Sequence, residues 1–172
     1  MAKSNDIPDF VGMVKTLKKD VVRYAGRAGV IFFQDSFYNQ GFTDKVHEPW
    51  VKRANDVDPG RNILIQSAGL LNSIQVFSSS GGRIEFGSDE AQAQIHNEGG
   101  IIKIPITARS RKYFWFMYGA TGRGMWKALA LTKKEQIVIN IPQRQFIGHS
   151  ETFMEQLDDW LVHELKKRFT RL

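Results

Sequence analysis

Histidines with acidic or hydroxyl neighbours are where this chain could do chemistry, and each pairing falls short in spacing or in company. His96-Asn97-Glu98 sets an imidazole two residues from a carboxylate, as in zinc deaminases, but that chemistry also needs paired cysteine ligands. The chain has no cysteine. His163 and Glu164 are neighbours on a predicted helix, about 100° apart, so they do not share a face. His149-Ser150 places base and hydroxyl side by side in sequence, whereas a triad brings the base in from elsewhere in space. Gly119 to Gly124 lacks the Gly-Lys-[Ser/Thr] of a phosphate loop, and no His-Glu-x-x-His occurs. The expectation is a protein without catalytic residues, metal site or cofactor, and so not an enzyme. His96 reads as a helix-end histidine bonding nearby carbonyls.

Charge gives a second candidate. The net charge is +6, yet residues 101–134 hold Lys103, Arg109, Arg111, Lys112, Arg123, Lys127, Lys133 and Lys134 and no acidic residue. That segment is +8, which leaves −2 for the remainder of the chain. Aromatics run through it as Tyr113-Phe114-Trp115-Phe116-Met117-Tyr118. Two readings stay open for the basic residues: a polyanion surface, with DNA contact, or a solvated face. The aromatic run is too apolar to lie open on a monomer, so a mixture of inward and partner-facing rings is expected.

The elements that must position these groups follow from periodicity. Residues 7 to about 38 read as one long helix, because Phe10, Val14, Leu17, Val21, Tyr24, Ala25, Ala28 and Ile31 recur at three- and four-residue steps. Pro8 suits its first turn, and Asp6 or Asp9 its cap. Gly12, Gly26 and Gly29 each weaken it by about 1 kcal/mol, which packing must offset. Small residues at 25, 26, 28 and 29 would admit a close neighbour. A helix of about 45 Å exceeds what a domain of this size requires. It either wraps its own sheet or docks in part on another subunit. Residues 40–60 form a polar connection with Trp50 as its pin and Asp58-Pro59-Gly60 as a turn.

A short helix over Ala68 to Asn72, behind Ser67, leads into a strand from Ile74 to Ser78. A turn at Ser79-Ser80-Gly81-Gly82 returns the chain as Arg83 to Gly87. Ala91 to Asn97 is a short helix closed by Gly99-Gly100. Ile102, Ile104, Ile106 and Ala108 alternate as a strand that Pro105 assigns to an edge. Thr107 caps a helix from Ala108 to Tyr118, stopping at Gly119. Trp126 to Leu131 reads as a strand that turns back into Ile137 to Ile141. Ser150 opens a final helix with the stripe Phe153, Leu157, Trp160, Leu161, Leu165 and Phe169. Glu151 and Glu155 lie near its positive end, and Lys166, Lys167, Arg168 and Arg171 near the negative one.

At 172 residues the chain suits a single domain, 1–172. The predicted class is α+β: a mainly antiparallel sheet flanked by long N- and C-terminal helices. With 42 % hydrophobic and 24 % charged residues, the composition is that of a soluble globular protein. No apolar run suits a membrane span, and the opening Met-Ala-Lys-Ser-Asn-Asp-Ile-Pro lacks a signal core. Absent cysteines fit a reducing compartment.

One corner joins strand to helix: Ile141-Pro142-Gln143-Arg144-Gln145-Phe146-Ile147-Gly148-His149-Ser150. An arginine beside an aromatic anchor has two readings. One is a packed corner whose guanidinium bonds exposed carbonyls; the other is a docking corner for a second subunit.

This corner resembles the Ile-Pro-x-Arg-x-Phe-[Ile/Leu]-Gly-x-Ser signature of the phage virion morphogenesis family, the tail-completion proteins of Mu-like and related tailed phages. Pro142, Arg144, Phe146, Gly148 and Ser150 carry the likeness. Ile84 to Gly100 resembles a second family block, a strand ending in Gly87-Ser88, then small helical residues, then Ile95-His96-x-x-Gly99. Residues 63–74, with Gly69 and Leu70, resemble a third. Gln145 stands where the family usually has a second proline, and Asn97-Glu98 where its residues are often apolar or aromatic. The resemblance implies a structural phage or prophage protein acting at the head-proximal end of the tail or at the neck. It would work in the host cytoplasm during assembly and in the virion afterwards. Implied partners are itself, as a homo-oligomeric ring with a hexamer matching tail symmetry, and the tail tube and neck proteins. Phe114, Trp115, Tyr118, Arg144 and Phe146 are the expected subunit contacts. Alternatives are a head–tail connector of similar fold and a basic nucleic-acid-binding protein.

Overall fold

The computed structural model describes residues 9–53 and 60–170. Asp6, Ile7 and Pro8 at the start of the predicted helix, Asp58 and Pro59 of the predicted turn, and Arg171 lie outside them. The class is α+β, with long first and last helices and antiparallel ladders. Two compact units emerge, one from the described parts of Met1–Glu98 and Gln143–Leu172, the other from Gly99–Pro142.

In the first unit, α1 (Phe10–Tyr38) begins at Asp9, whose carboxylate accepts from Gly12 N at 2.9 Å. Its buried residues are Ala25, Gly29, Phe33, Ser36 and Phe37. Burial thus steps by fours from Ala25, and Ile31, which the spacing placed on the apolar stripe, is 58 % exposed. The close approach permitted by the small residues comes from aromatic rings. A β-carbon at Gly29 would run into Phe86 and Phe153, so Gly29 is required for space. Two three-residue strands follow, β1 (Gly41–Thr43) and β2 (His47–Pro49), which pair with each other. They are too short to show alternation, and the sequence reading missed them.

Next come α2 (Gly69–Asn72), β3 (Ile74–Ser80), β4 (Arg83–Ser88) and α3 (Ala93–Glu98). The β3–β4 hairpin turns at Gly81-Gly82, both with positive φ (60° and 81°), the geometry a two-residue turn demands. A bulge lies between Val76 and Ser78. The Phe77 ring covers Gly87, leaving no room for a side chain there. The last helix, α6 (Glu151–Phe169), packs along α1. Tyr24 stacks on Trp160 with centroids 4.2 Å apart, and Arg168 reaches Asp20 at 2.6 Å. The basic end of α6 therefore also ties two helices together. The core joins Phe33, Phe37, Phe42, Trp50, Leu70, Leu71, Ile74 and Phe146.

The second unit contains β5 (Gly100–Pro105), α4 (Ala108–Thr121), α5 (Gly124–Leu131) and β6 (Gln136–Ile141). Ile102 pairs with Ile139 and Ile104 with Ile137, so the isoleucines share one face as their period-two spacing requires. Thr107 forms a capping box with Ser110. Helix α4 passes Gly119 and ends at Gly122, whose φ of 66° suits a left-handed C-cap. Trp126 to Leu131, expected as a strand, lies in α5. Met125, Lys127, Ala128, Leu129, Ala130 and Leu131 are all strong helix formers, and that propensity prevails over the short alternation. Among the described residues the antiparallel strands form three two-stranded ladders and not one five-stranded sheet.

Candidate functional site

The parts of the three family-like blocks that lie in the first unit meet around residues 143–150. Arg144 N donates to His96 O at 2.8 Å, joining the corner to the end of α3. Asn97 holds the next residues by three bonds. Its Oδ1 accepts from Phe146 N at 2.9 Å and Ile147 N at 3.0 Å, and its Nδ2 donates to Ile147 O at 3.1 Å. An asparagine presents an acceptor and a donor on one planar group, so one side chain satisfies two backbone amides and a carbonyl at 146 and 147. Trp50 Nε1 donates to Gln145 O at 2.7 Å, which makes Trp50 the pin expected of it.

Arg144, Phe146 and Ser150 of the corner point into the protein, while Gln143 and His149 are exposed. Phe146 is 1 % exposed and meets Phe37 at 5.0 Å between ring centroids. Arg144 is 8 % exposed, and both its Nε (3.2 Å) and Nη2 (3.0 Å) donate to Val51 O. These two residues, expected at a subunit contact, are spent inside the chain. The corner is the packed one whose guanidinium bonds a carbonyl. Gly148 has no positive φ, and a β-carbon there would meet only the mobile amide end of Gln145 at close range.

Ser150 closes the stretch. Its Oγ accepts from Phe153 N at 3.1 Å as the N-cap of α6 and donates to Thr43 O at 2.8 Å. Asp44 Oδ1 takes Glu151 N at 2.7 Å. Ser150→Ala removes both hydroxyl bonds from a 2 % exposed site. It is expected to lower stability by about 2 kcal/mol, the upper end for an N-cap, as read from denaturant unfolding midpoints.

The remaining motif residues are structural as well. Leu70 is core, and Gly69 N donates to Ser67 Oγ at 3.3 Å. Ser88 Oγ shares a 2.6 Å hydrogen bond with Ser73 Oγ. Ile95 is half-buried, Gly99 has φ 74°, and Pro142 directly follows β6.

A cleft of about 530 Å³ opens beside the corner, with Arg53, Arg61, Ser67, Gln92, His96 and Arg144 in its wall. His96 Nδ1 is buried and has no hydrogen-bond partner, so this ring nitrogen does not bond a nearby carbonyl as expected. Burial first, and then the Arg144 charge, hold the imidazole below its ordinary pKa of 6.5. Burial, and then Arg53, likewise lower Arg144.

In the second unit, Phe114 is 8 % exposed and packs on Trp126, with centroids 6.0 Å apart. It is therefore internal, in contrast to its expected docking role. Tyr118 is half-buried, while Tyr113, Trp115 and Phe116 point outward at 52 %, 44 % and 68 %. Arg111 Nη1 is held by Ala130 O (2.9 Å) and Thr132 O (2.7 Å); the other seven basic residues of 101–134 are exposed.

Asn97 and the Val51 carbonyl were not foreseen as parts of the corner. A polar pair where the family is apolar was the signal for Asn97; a backbone acceptor has none. Among the described residues, no group of three or more His, Asp or Glu side chains is placed to hold a metal ion, and no helix is long and apolar enough to cross a membrane. Comparison with protein-family models, curated proteins and solved structures finds no match to this chain.

Proposed function

We propose that this chain is a structural protein of tailed-phage virion morphogenesis, completing the tail at its head-proximal end as a homo-oligomeric ring without turnover. The phage assignment rests on the three sequence blocks. The assembly part rests on one observation, the amount of apolar surface left open in the second unit. Ile101, Phe116, Met125, Leu131 and Val138 are 62 %, 68 %, 57 %, 60 % and 56 % exposed, and the ladder beside them is two strands wide. An apolar surface of that kind, next to strand edges with no described partner, is what burial against another chain would cover. The first turns of α1 add Phe10 at 46 %, Val11 at 66 % and Val14 at 46 %. Of the expected contacts, Trp115 and the open face of α1 are kept and Phe116 is added beside them, while Arg144, Phe146 and Phe114 are set aside as internal. The tail tube and neck proteins are the further partners.

Sedimentation of the purified chain tests the assembly. The wild type is expected as a closed oligomer, and Phe116→Glu as a folded monomer, because that ring is largely exposed already. A monomeric wild type would remove the ring. The phage role is read by electron microscopy of particles lacking this gene: unjoined heads and tails support it, and intact virions overturn it. The seven exposed basic residues favour a second reading, contact with nucleic acid. That reading predicts an affinity falling steeply with salt, whereas ring assembly through apolar surface does not.

A further inference from the structure

The assembly role makes no use of the cationic cleft beside the corner. We propose that this cleft binds a small phosphate-bearing anion, with Arg144 and His96 as its central contacts and Ser67 and Gln92 beside them. Among the described residues none lining it is a carboxylate; its wall combines cationic and neutral polar groups with the apolar Ile63, Leu64 and Leu70. Arg144 is 8 % exposed, yet its Nε and Nη2 both donate to one carbonyl oxygen, that of Val51. A buried guanidinium is stable when an anion compensates it, and a carbonyl supplies only a partial charge. His96 Nδ1 is buried with its hydrogen-bonding capacity unspent. Burial first, and a neighbouring cation second, depress the pKa of both groups.

Size and donor geometry select the ligand class. About 530 Å³ lies within the range of small-molecule sites, about 300–1,000 Å³. A guanidinium, an imidazole and a hydroxyl offer donors in more directions than the two oxygens of a carboxylate use, while the Gln92 amide donates to Glu90 Oε2 at 3.1 Å. A doubly charged phosphate group accepts from all three. Arg53 is anchored by its bonds to Arg61 O and Asn62 O, both 2.9 Å, so a charge at the cleft wall is held in place before any ligand arrives.

The test is an NMR titration of the histidine side chains in the full chain, with inorganic phosphate and then pyrophosphate, at constant ionic strength. The chain has four histidines, so three serve as internal controls. His96 is expected to shift and to titrate at higher pH with ligand, while His47, His149 and His163 stay put. Arg144→Gln should weaken pyrophosphate binding about tenfold or more, the effect of losing a charge-assisted contact. Should that variant not fold, His96→Gln, whose Nδ1 has no partner to lose, carries the test by calorimetric titration with pyrophosphate, and binding at wild-type affinity would overturn the site. No His96 response at about 10 mM pyrophosphate, well above a dissociation constant of about 1 mM, would overturn the site. Equal responses of all four histidines would reduce it to general attraction by a chain of net charge +6 and overturn it too. A short DNA duplex forms the second arm: binding of duplex but not of pyrophosphate also overturns the small-ligand site.

Discussion

Phe146→Ala is expected to cost about 3–5 kcal/mol of folding stability, the loss typical when a buried aromatic ring is truncated. Phe146 is 1 % exposed and packs on Phe37, itself fully buried and edge-on to Trp50 at 5.4 Å. Truncation removes the ring's transfer energy and leaves a cavity that neighbours bound at both ends relax into poorly. Trp50 is fixed to Gln145 O, and the backbone at 146 and 147 is fixed to Asn97. Against a total of about 5–15 kcal/mol for a globular protein, that loss depletes the folded state. Urea unfolding measures it, and Phe146→Leu, which keeps most of the volume, should cost under about 1.5 kcal/mol. A Phe146→Ala protein unfolding within about 1 kcal/mol of wild type would mean that the aromatic cluster is not the stabilising core.

Asn97→Ala is the second large effect, expected at about 2–3 kcal/mol. The substitution deletes three hydrogen bonds and leaves Phe146 N, Ile147 N and Ile147 O without partners in a half-buried setting. Stranding backbone groups costs their desolvation as well as the lost bonds, which is why one side chain weighs this much. Amide hydrogen exchange gives the specific readout. The Phe146 and Ile147 amides should lose protection, while amides in the middle of α1 keep theirs. Unchanged protection at 146 and 147 would show that Asn97 does not hold the corner.

These residues also mark how far the sequence reaches. Asp9, Thr107 and Ser150 could be recognised as caps, because a cap bonds an amide within three residues of itself. Gly81-Gly82 could be recognised as a hairpin turn because positive φ is a local demand that glycine meets. The isoleucines of β5 and β6 fell on their faces through the period of the strand alone. The α+β class follows from such local signals added along the chain.

What tertiary structure decided is where those elements spend their side chains. Arg144 could be a docking group or an internal tie until its acceptor, 93 residues away in sequence, was located. Asn97 became the clamp of the corner through partners 49 and 50 residues on. Ile31 belongs to the stripe read from three- and four-residue steps, yet it sits two residues from both Gly29 and Phe33, about 200° round the helix from them, and is exposed. Phe114 and Phe116 are two residues apart on one helix, and one is buried while the other is open. Periodicity states which residues can share a face; the neighbour that covers that face is chosen by packing across the whole chain. Caps, turns and strand period were therefore determined by the sequence on its own. Burial, the arginine's partner and the cationic cleft were decided when distant segments closed on one another.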